Sequence, residues 1–350
     1  MKTVLVTGGC GFIGSHFVRL LLQRSEWRVV NLDKLTYAGN LENLAEVVEG
    51  ERYRFVKGDI CSRTTVDQLF QEEKPWAVVN FAAESHVDRS ILDATPFLQT
   101  NVIGVQVLLD GCRSHGVERF LQISTDEVYG DADGYEPFPE ESTLRPSSPY
   151  AASKAAGELL CPAYQRTYGL PILIVRSTNN YGPVQFPEKL VPLMIRNALG
   201  GKDLPVYGDG LQRRDWLYVV DNCRAILTVL QQGSPGSIYN IGAGEEPTNL
   251  ELVHTICRLL AEEAKMDLDV ILKHLKFVPD RPGHDRRYAL NTERIRQDLA
   301  WVSEVSFEIG LRTTIRWYLG HRDWMDRVIS GEYQKYYDAV YSRVWEQASA

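Results

Sequence analysis

The sequence predicts an α/β protein: a doubly wound parallel sheet with a smaller, mostly C-terminal α/β lobe. Three observations carry that prediction. Short apolar runs alternate with helix-periodic segments through the first half. The runs are too apolar to leave one face in water, which is how strands of a parallel sheet covered on both sides read. A glycine-rich turn follows the first run and opens a helical segment. The 350 residues, 44% hydrophobic and 24% charged, supply ample material for a core.

In chain order, strands are expected at 4–6, 29–32, 53–56, 77–81, 120–123 and 172–175, with helical periodicity at 16–23 and 102–114. Beyond about Gly182 the rhythm breaks. Pro183, Pro187, Pro192 and Pro205 punctuate the chain, and helical patterns at 250–265 and 307–326 are separated by irregular stretches. The expected division is 1–181 and 182–350, with a segment near 215–245 a candidate to return to the first part.

Composition also excludes. A net charge of −8 argues against broad nucleic-acid binding, which needs a basic footprint. No apolar run approaches the roughly 18–20 residues of a membrane span. The first eight residues read as a buried strand and not as a signal peptide. Six cysteines without a C-x-x-C pair argue against a disulfide framework or a zinc site, so no metal is expected and a reducing cytoplasm is.

Residues 7–14 place Gly8, Gly11 and Gly14 around Phe12 and Ile13. Glycines so spaced allow a tight turn, close approach of a pyrophosphate and close helix–strand packing. The helix start beyond them offers free N–H groups to phosphate. Such a pattern is weak alone, a plain turn being its bland explanation, but here the context agrees. Asp33 ends the second strand, where an acidic residue hydrogen-bonds the adenosine ribose and repels a 2′-phosphate. NAD is therefore expected over NADP, with Lys34 as the one dissenting charge. Asp59 and Ile60 are placed to bracket the adenine, and Phe81, Ala82 and Ala83 leave room for a cofactor across the sheet edge.

Tyr150 and Lys154 follow Ser148-Pro149, a helix-start signal, and their i,i+4 spacing puts phenol and ammonium on one face. A free phenol titrates near ~10; a nearby ammonium and a cationic nicotinamide would bring it into working range as a base. Thr125, Asp126 and Glu127 follow the fifth strand directly, at the sheet edge where ligands bind. A solvated turn is the bland alternative. Hydride transfer needs only the tyrosine, so an added acid and base point to a further proton-moving step.

With these motifs the chain resembles the extended short-chain dehydrogenase/reductase family, and within it the dTDP-glucose 4,6-dehydratases, over roughly residues 1–330. The marks are 7–14, 33–40, 82–90, 125–127, Tyr150 with Lys154, 176–183, 186–190, 214–216 and 281–285. The Thr-Asp-Glu triplet and segment 186–190 are the specific ones. Epimerases of this scaffold usually carry small residues in place of Asp126 and Glu127; decarboxylases and GDP-mannose dehydratases keep only the glutamate. Thr178, Gln185 and Arg213 depart from the expected pattern.

The resemblance implies a Rossmann NAD-binding domain, tightly bound and recycled NAD+, a nucleotide-sugar substrate and a homodimer formed through helices around 102–114 and 150–165. It adds Thr36, Ser85, Thr100 and Asn180 to the cofactor site. Tyr150 is implied to take the C4 hydroxyl proton, with Lys154 holding it ionised and Thr125 bonding the C4 oxygen. Glu127 would remove the C5 proton while a protonated Asp126 serves the departing C6 hydroxyl. Lys189, Arg214 and Arg281 would hold the diphosphate. Ser85, Asn179, Leu190, Pro205, Val206, Tyr207, Asn249 and His284 would complete the sugar-nucleotide pocket. His86 reads equally as a packed structural histidine, and Tyr207 as core. Two rivals remain: a UDP-sugar 4-epimerase or decarboxylase, and a non-catalytic NAD(H)-binding regulator.

Overall fold

The computed structural model describes residues 1–329; the end of the expected second domain lies outside them. Strands β1 (Thr3–Thr7), β2 (Arg28–Asp33), β3 (Tyr53–Lys57), β4 (Ala77–Asn80), β5 (Arg119–Thr125), β6 (Ile172–Ser177) and β7 (Ile238–Ile241) build one sheet. Its order is β7-β6-β5-β4-β1-β2-β3, parallel throughout. The order reverses at β1, which lies between β2 and β4, and a crevice opens there beyond the carboxyl ends of the strands.

Alternation along each strand explains why the runs are apolar on both sides. Val4 and Val6 join one buried cluster with α1 (Phe12–Arg24), while Leu5 joins the opposite one with α2 (Arg63–Glu73) and α3 (Val105–His115). The interior is not wholly apolar. Thr7 Oγ1 donates to Asn80 Oδ1 at 2.6 Å and Asn80 Nδ2 to Gln122 Oε1 at 2.9 Å, a satisfied polar ladder across β1, β4 and β5.

The expected helix over 102–114 is two pieces: a wide, π-type turn over Gln99–Gly104, then α3. Close packing explains the break. The Asn101 carbonyl lies against α4 (Pro149–Tyr168) at Gly157, where a Cβ would sit 2.0 Å from the oxygen. The Asn101 side chain meanwhile pairs with the Glu84 backbone and donates to Ser153 Oγ.

After β6 the chain passes through Asn179–Tyr181 into the second lobe, whose core joins α5 (Leu190–Leu199), α7 (Asn249–Ala264) and α8 (Phe307–Gly320). Between α5 and α7 it comes back: α6 (Val219–Gln232) packs on α1, and β7 pairs with β6. A second return was not foreseen from the sequence. Ile295 and Trp301 bury in the same cluster as β1 and α6. Among the described residues no helix is long and apolar enough to cross a membrane.

Candidate active site

The crevice at the switch point is a cleft of about 320 Å³. At its nucleotide end Gly8 has φ +70° and lies so near β4 that a Cβ would meet the Ala82 nitrogen at 2.6 Å. A Cβ on Gly14 would lie 2.2 Å from the Gly8 carbonyl oxygen, so the loop and α1 meet backbone to backbone. No side chain caps α1 and no acidic residue stands in its first turn. Its N–H groups and dipole therefore face the cleft ready for an anion.

Asp33 accepts N–H from Cys10 at 2.9 Å and from Leu35 at 2.8 Å. Burial raises its carboxyl, and those two bonds pull it back. Each oxygen keeps a lone pair for a further donor. Lys34 pairs with Asp59 at 2.7 Å, so the dissenting cation is neutralised at the place where it would favour a 2′-phosphate. Phe12, Ile13, Thr36, Ile60, Phe81, Ala82, Ala83, Ser85, Thr100 and Asn180 line the same cleft with Gly8, Gly11 and Gly14. An uncapped helix, a glycine cradle and a ribose-facing carboxylate fit a dinucleotide.

At the other end Ser148 caps α4 by accepting the Ala151 N–H at 3.1 Å, and Pro149 occupies the first turn. Tyr150 and Lys154 are thereby brought to the cleft wall, both buried. Lys154 Nζ donates to the Ile123 carbonyl at 2.6 Å, and burial lowers its pKa to about 8. The chain alone does not lower Tyr150; the expected lowering includes the charge of the nicotinamide. Burial, then the Glu127 and Asp126 carboxylates, push the phenol well up, with only Thr125 opposing.

Thr125 caps the single turn Asp126–Tyr129: its Oγ1 accepts the Glu127 N–H at 3.3 Å and donates to Asp126 Oδ1 at 3.1 Å. Asp126 is 3% exposed. Burial, reinforced by adjacent Glu127, pushes its carboxyl up to about 8, so it holds its proton at neutrality. Burial raises Glu127 too, but Arg281, Arg214 and Lys189 pull it back toward the ionised form. Both carboxyls are thus raised, Asp126 with a like charge beside it and Glu127 against three cations, so the two neighbours stand in different electrostatic surroundings. Asp126 Oδ2, Glu127 Oε2, Ser124 Oγ and Asn179 Oδ1 are buried without a protein partner and line this end of the cleft.

Lys189 and Asn179 lie on the cleft wall, Lys189 Nζ donating to the Ser85 carbonyl at 2.8 Å. Leu190, Pro205, Val206, Tyr207, Arg214, Asn249, Arg281 and His284 do not line it; they belong to the second lobe. Arg214 and Arg281 act on Glu127 through their charge. Arg214 donates to the Arg213 and Asp285 carbonyls, both at 2.7 Å, and lies 4.1 Å over the Tyr288 ring. Arg281 is 3.6 Å from Asp88. His284 bonds Asp280 at 2.6 Å, meets Tyr207 edge-on, and is lowered to about 4 by burial. Val206 packs in the second lobe's core, and Leu190 and Asn249 open helices. His86 is buried, and its ring accepts the Arg89 N–H.

Among the residues that the sequence did not assign to the site, two stand out. Glu188 lines the cleft, buried, and accepts the Tyr37 hydroxyl at 3.0 Å. Its place beside Lys189 in the specific segment 186–190 was the available signal. Tyr288 lies under Arg214 and bonds Asp285 at 2.8 Å; a two-residue strand left no readable pattern.

Residues 5–314 match the GDP-mannose 4,6 dehydratase family. A dTDP-glucose 4,6-dehydratase of Neisseria meningitidis is 50% identical, covering 95% of this chain and 98% of its own. The crystal structure of DesIV (dTDP-glucose 4,6-dehydratase) from Streptomyces venezuelae with NAD and TYD bound superposes with a TM-score of 0.88 at 47% identity, covering 93% of this chain and 100% of that one. A UDP-glucose 4-epimerase of Thermotoga maritima shares the scaffold less closely, with a TM-score of 0.82 at 31% identity over 91% and 99% of the two chains.

Proposed function

The chain belongs to the dTDP-glucose 4,6-dehydratase family, and from that premise we propose that it is an NAD-dependent hydro-lyase converting dTDP-glucose to dTDP-4-keto-6-deoxyglucose. The observation that carries this reading is the pair Asp126 and Glu127, the first raised to about 8 and the second facing three cations, set beside Tyr150 at the cofactor cleft. A 4-epimerase has no use for the proton on Asp126.

Bound NAD supplies the hydride acceptor for oxidation at C4 and the donor for reduction at C6. Gly8, Gly11 and the start of α1 would hold its pyrophosphate, and Asp33 its ribose. Tyr150 takes the C4 hydroxyl proton. The cation that lowers its phenol comes with the cofactor, since burial and two carboxylates raise it otherwise. Lys154, one turn along α4 and anchored on the Ile123 carbonyl, would add its charge to that of the cofactor, and Thr125 would offer its hydroxyl to the C4 oxygen. The C4 ketone acidifies C5–H. Glu127 takes that proton while Asp126 gives its own to the C6 hydroxyl, which leaves as water. Glu127 then returns a proton to C5. Lys189, Arg214 and Arg281 hold the diphosphate in this reading.

The cytoplasm and a homodimer belong to the same proposal. All six cysteines are unpaired, as a reducing compartment leaves them. Leu98, Ile103 and Leu159 are 51%, 43% and 57% exposed on the neighbouring helices around 95–115 and 149–168.

Mass spectrometry of the NAD-loaded protein with dTDP-glucose in deuterated buffer tests the reaction. The product should lose one water and gain one deuterium at C5. Conversion of UDP-glucose to an epimer without loss of water would replace this reading with the epimerase. Bound NAD with every sugar nucleotide unchanged would leave a non-catalytic binder.

A further inference from the structure

The two halves of the chemistry stand on different elements. Tyr150 and Lys154 are on α4, whereas Asp126 and Glu127 are on the four-residue turn Asp126–Tyr129. So short a turn has too few backbone bonds to fix two side chains against a helix. Thr125 holds its first residues; Tyr129 holds its last.

Tyr129 does not line the cleft. Its side chain is 2% exposed, and its ring stacks on Phe138 with centroids 5.4 Å apart. The hydroxyl donates to Asn240 Oδ1 of β7 at 2.8 Å and accepts from Arg176 of β6. Arg176 donates through Nε to both oxygens of Glu158, at 3.0 and 3.2 Å, and through Nη1 to the Glu140 carbonyl at 2.9 Å. Glu158 is on α4, one turn beyond Lys154. The Glu140 carboxylate closes the circuit by accepting the Asn240 N–H at 2.9 Å. Every member is buried. Because a buried charge pair tolerates no loose geometry, the circuit links the turn to α4 rigidly.

We propose that Tyr129 is a positioning residue: with Arg176, Glu158 and Asn240 it sets the register of the carboxylates Asp126 and Glu127 against Tyr150 and Lys154, so that one bound sugar meets both pairs in turn. The role rests on the dehydratase reading above. The oxidising pair depends on α4, and the eliminating pair depends on the turn. Removing the hydroxyl should therefore spare the first step and slow the second.

Tyr129→Phe tests this in rapid mixing of the NAD-loaded enzyme with dTDP-glucose. Three quantities are followed: reduced-nicotinamide absorbance, deuterium uptake at C5, and NAD retained by the purified protein. Misplacing a reacting group by about 1 Å costs up to ~100-fold, so a shift one residue removed should slow the decay of reduced nicotinamide and the C5 exchange by roughly tenfold. Its formation and the NAD content should stay at the wild-type level. Both phases slowed alike, or neither slowed, would overturn the positioning role. Asn240→Ser frees the same hydroxyl from β7 while Arg176 stays bonded, and it carries the same expectation if Tyr129→Phe does not fold. Phe138→Leu, which keeps the hydroxyl bonds, should retain the wild-type partition. A wild-type enzyme that forms neither reduced nicotinamide nor product would overturn the dehydratase reading, and this role with it.

Discussion

Asp126 and Glu127 are adjacent in the chain, and burial raises both carboxyls, but their other neighbours differ. At Asp126 burial is reinforced by a like charge; at Glu127 it is opposed by three cations from other segments. Elimination needs the first protonated and the second ionised, so its rate should fall as pH rises through about 8, read from the pH profile of C5 exchange. Asp126→Asn should still oxidise substrate but eliminate ~10²–10⁴-fold more slowly, with reduced nicotinamide accumulating. The same substitution has a stability consequence. The folded-state pKa of Asp126 lies above its unfolded value, so its favourable contribution is complete below the unfolded pKa and is lost as pH rises to about 8. An amide does not titrate. Asp126→Asn should therefore match wild type near pH ~4 and exceed it by about 1–3 kcal/mol at alkaline pH, measured by urea unfolding at both. The residue types of this site, and a protonated Asp126 beside a like charge, were expected from the sequence; the surroundings of Glu127 were not. Those depend on Arg214, Arg281 and Lys189, which only folding brings to Glu127.

Among the elements, α4 shows how local signals and distant contacts divide the task. Ser148-Pro149 starts it, as the sequence signalled, and Gly169, in the left-handed region, ends it. Its placement is not local: Arg176 on β6 holds Glu158 in a buried pair, 3% and 2% exposed. Removing one partner strands a buried charge, so Arg176→Met should cost about 3–5 kcal/mol in urea unfolding. Adding Glu158→Leu should recover much of that loss, because no charge is then left unpaired. The turn over Gln99–Gly104 escaped the sequence for a related reason. Its helical periodicity is intact, and the wide turn follows from Asn101 bonding to Glu84 and Ser153 while its carbonyl rests on Gly157.

For the whole molecule, the arrangement of two lobes builds the cleft mostly on the first, with Glu188 and Lys189 closing it, and brings Arg214 and Arg281 to Glu127 from the second. If the exposed apolar side chains of α4 and its neighbours meet a second copy, charges there should separate the copies. Leu98→Glu with Leu159→Glu should convert a dimer to a monomer in light scattering at micromolar concentration, and a monomeric wild type would refute the dimer. The parallel sheet, the nucleotide turn with Asp33, and the candidate catalytic residues on their elements could all be read along the chain. Each rests on local physics: period-two burial, glycine where no Cβ fits, caps at helix starts, and i,i+4 spacing. The return of Ile295 and Trp301 to the first core, the pairing of Lys34 with Asp59 and the withdrawal of Arg214 onto backbone carbonyls could not. Nor could the circuit around Tyr129. These join residues far apart in sequence, and which partner a buried charge or ring finds is settled by packing, where contact and desolvation depend on three-dimensional neighbours.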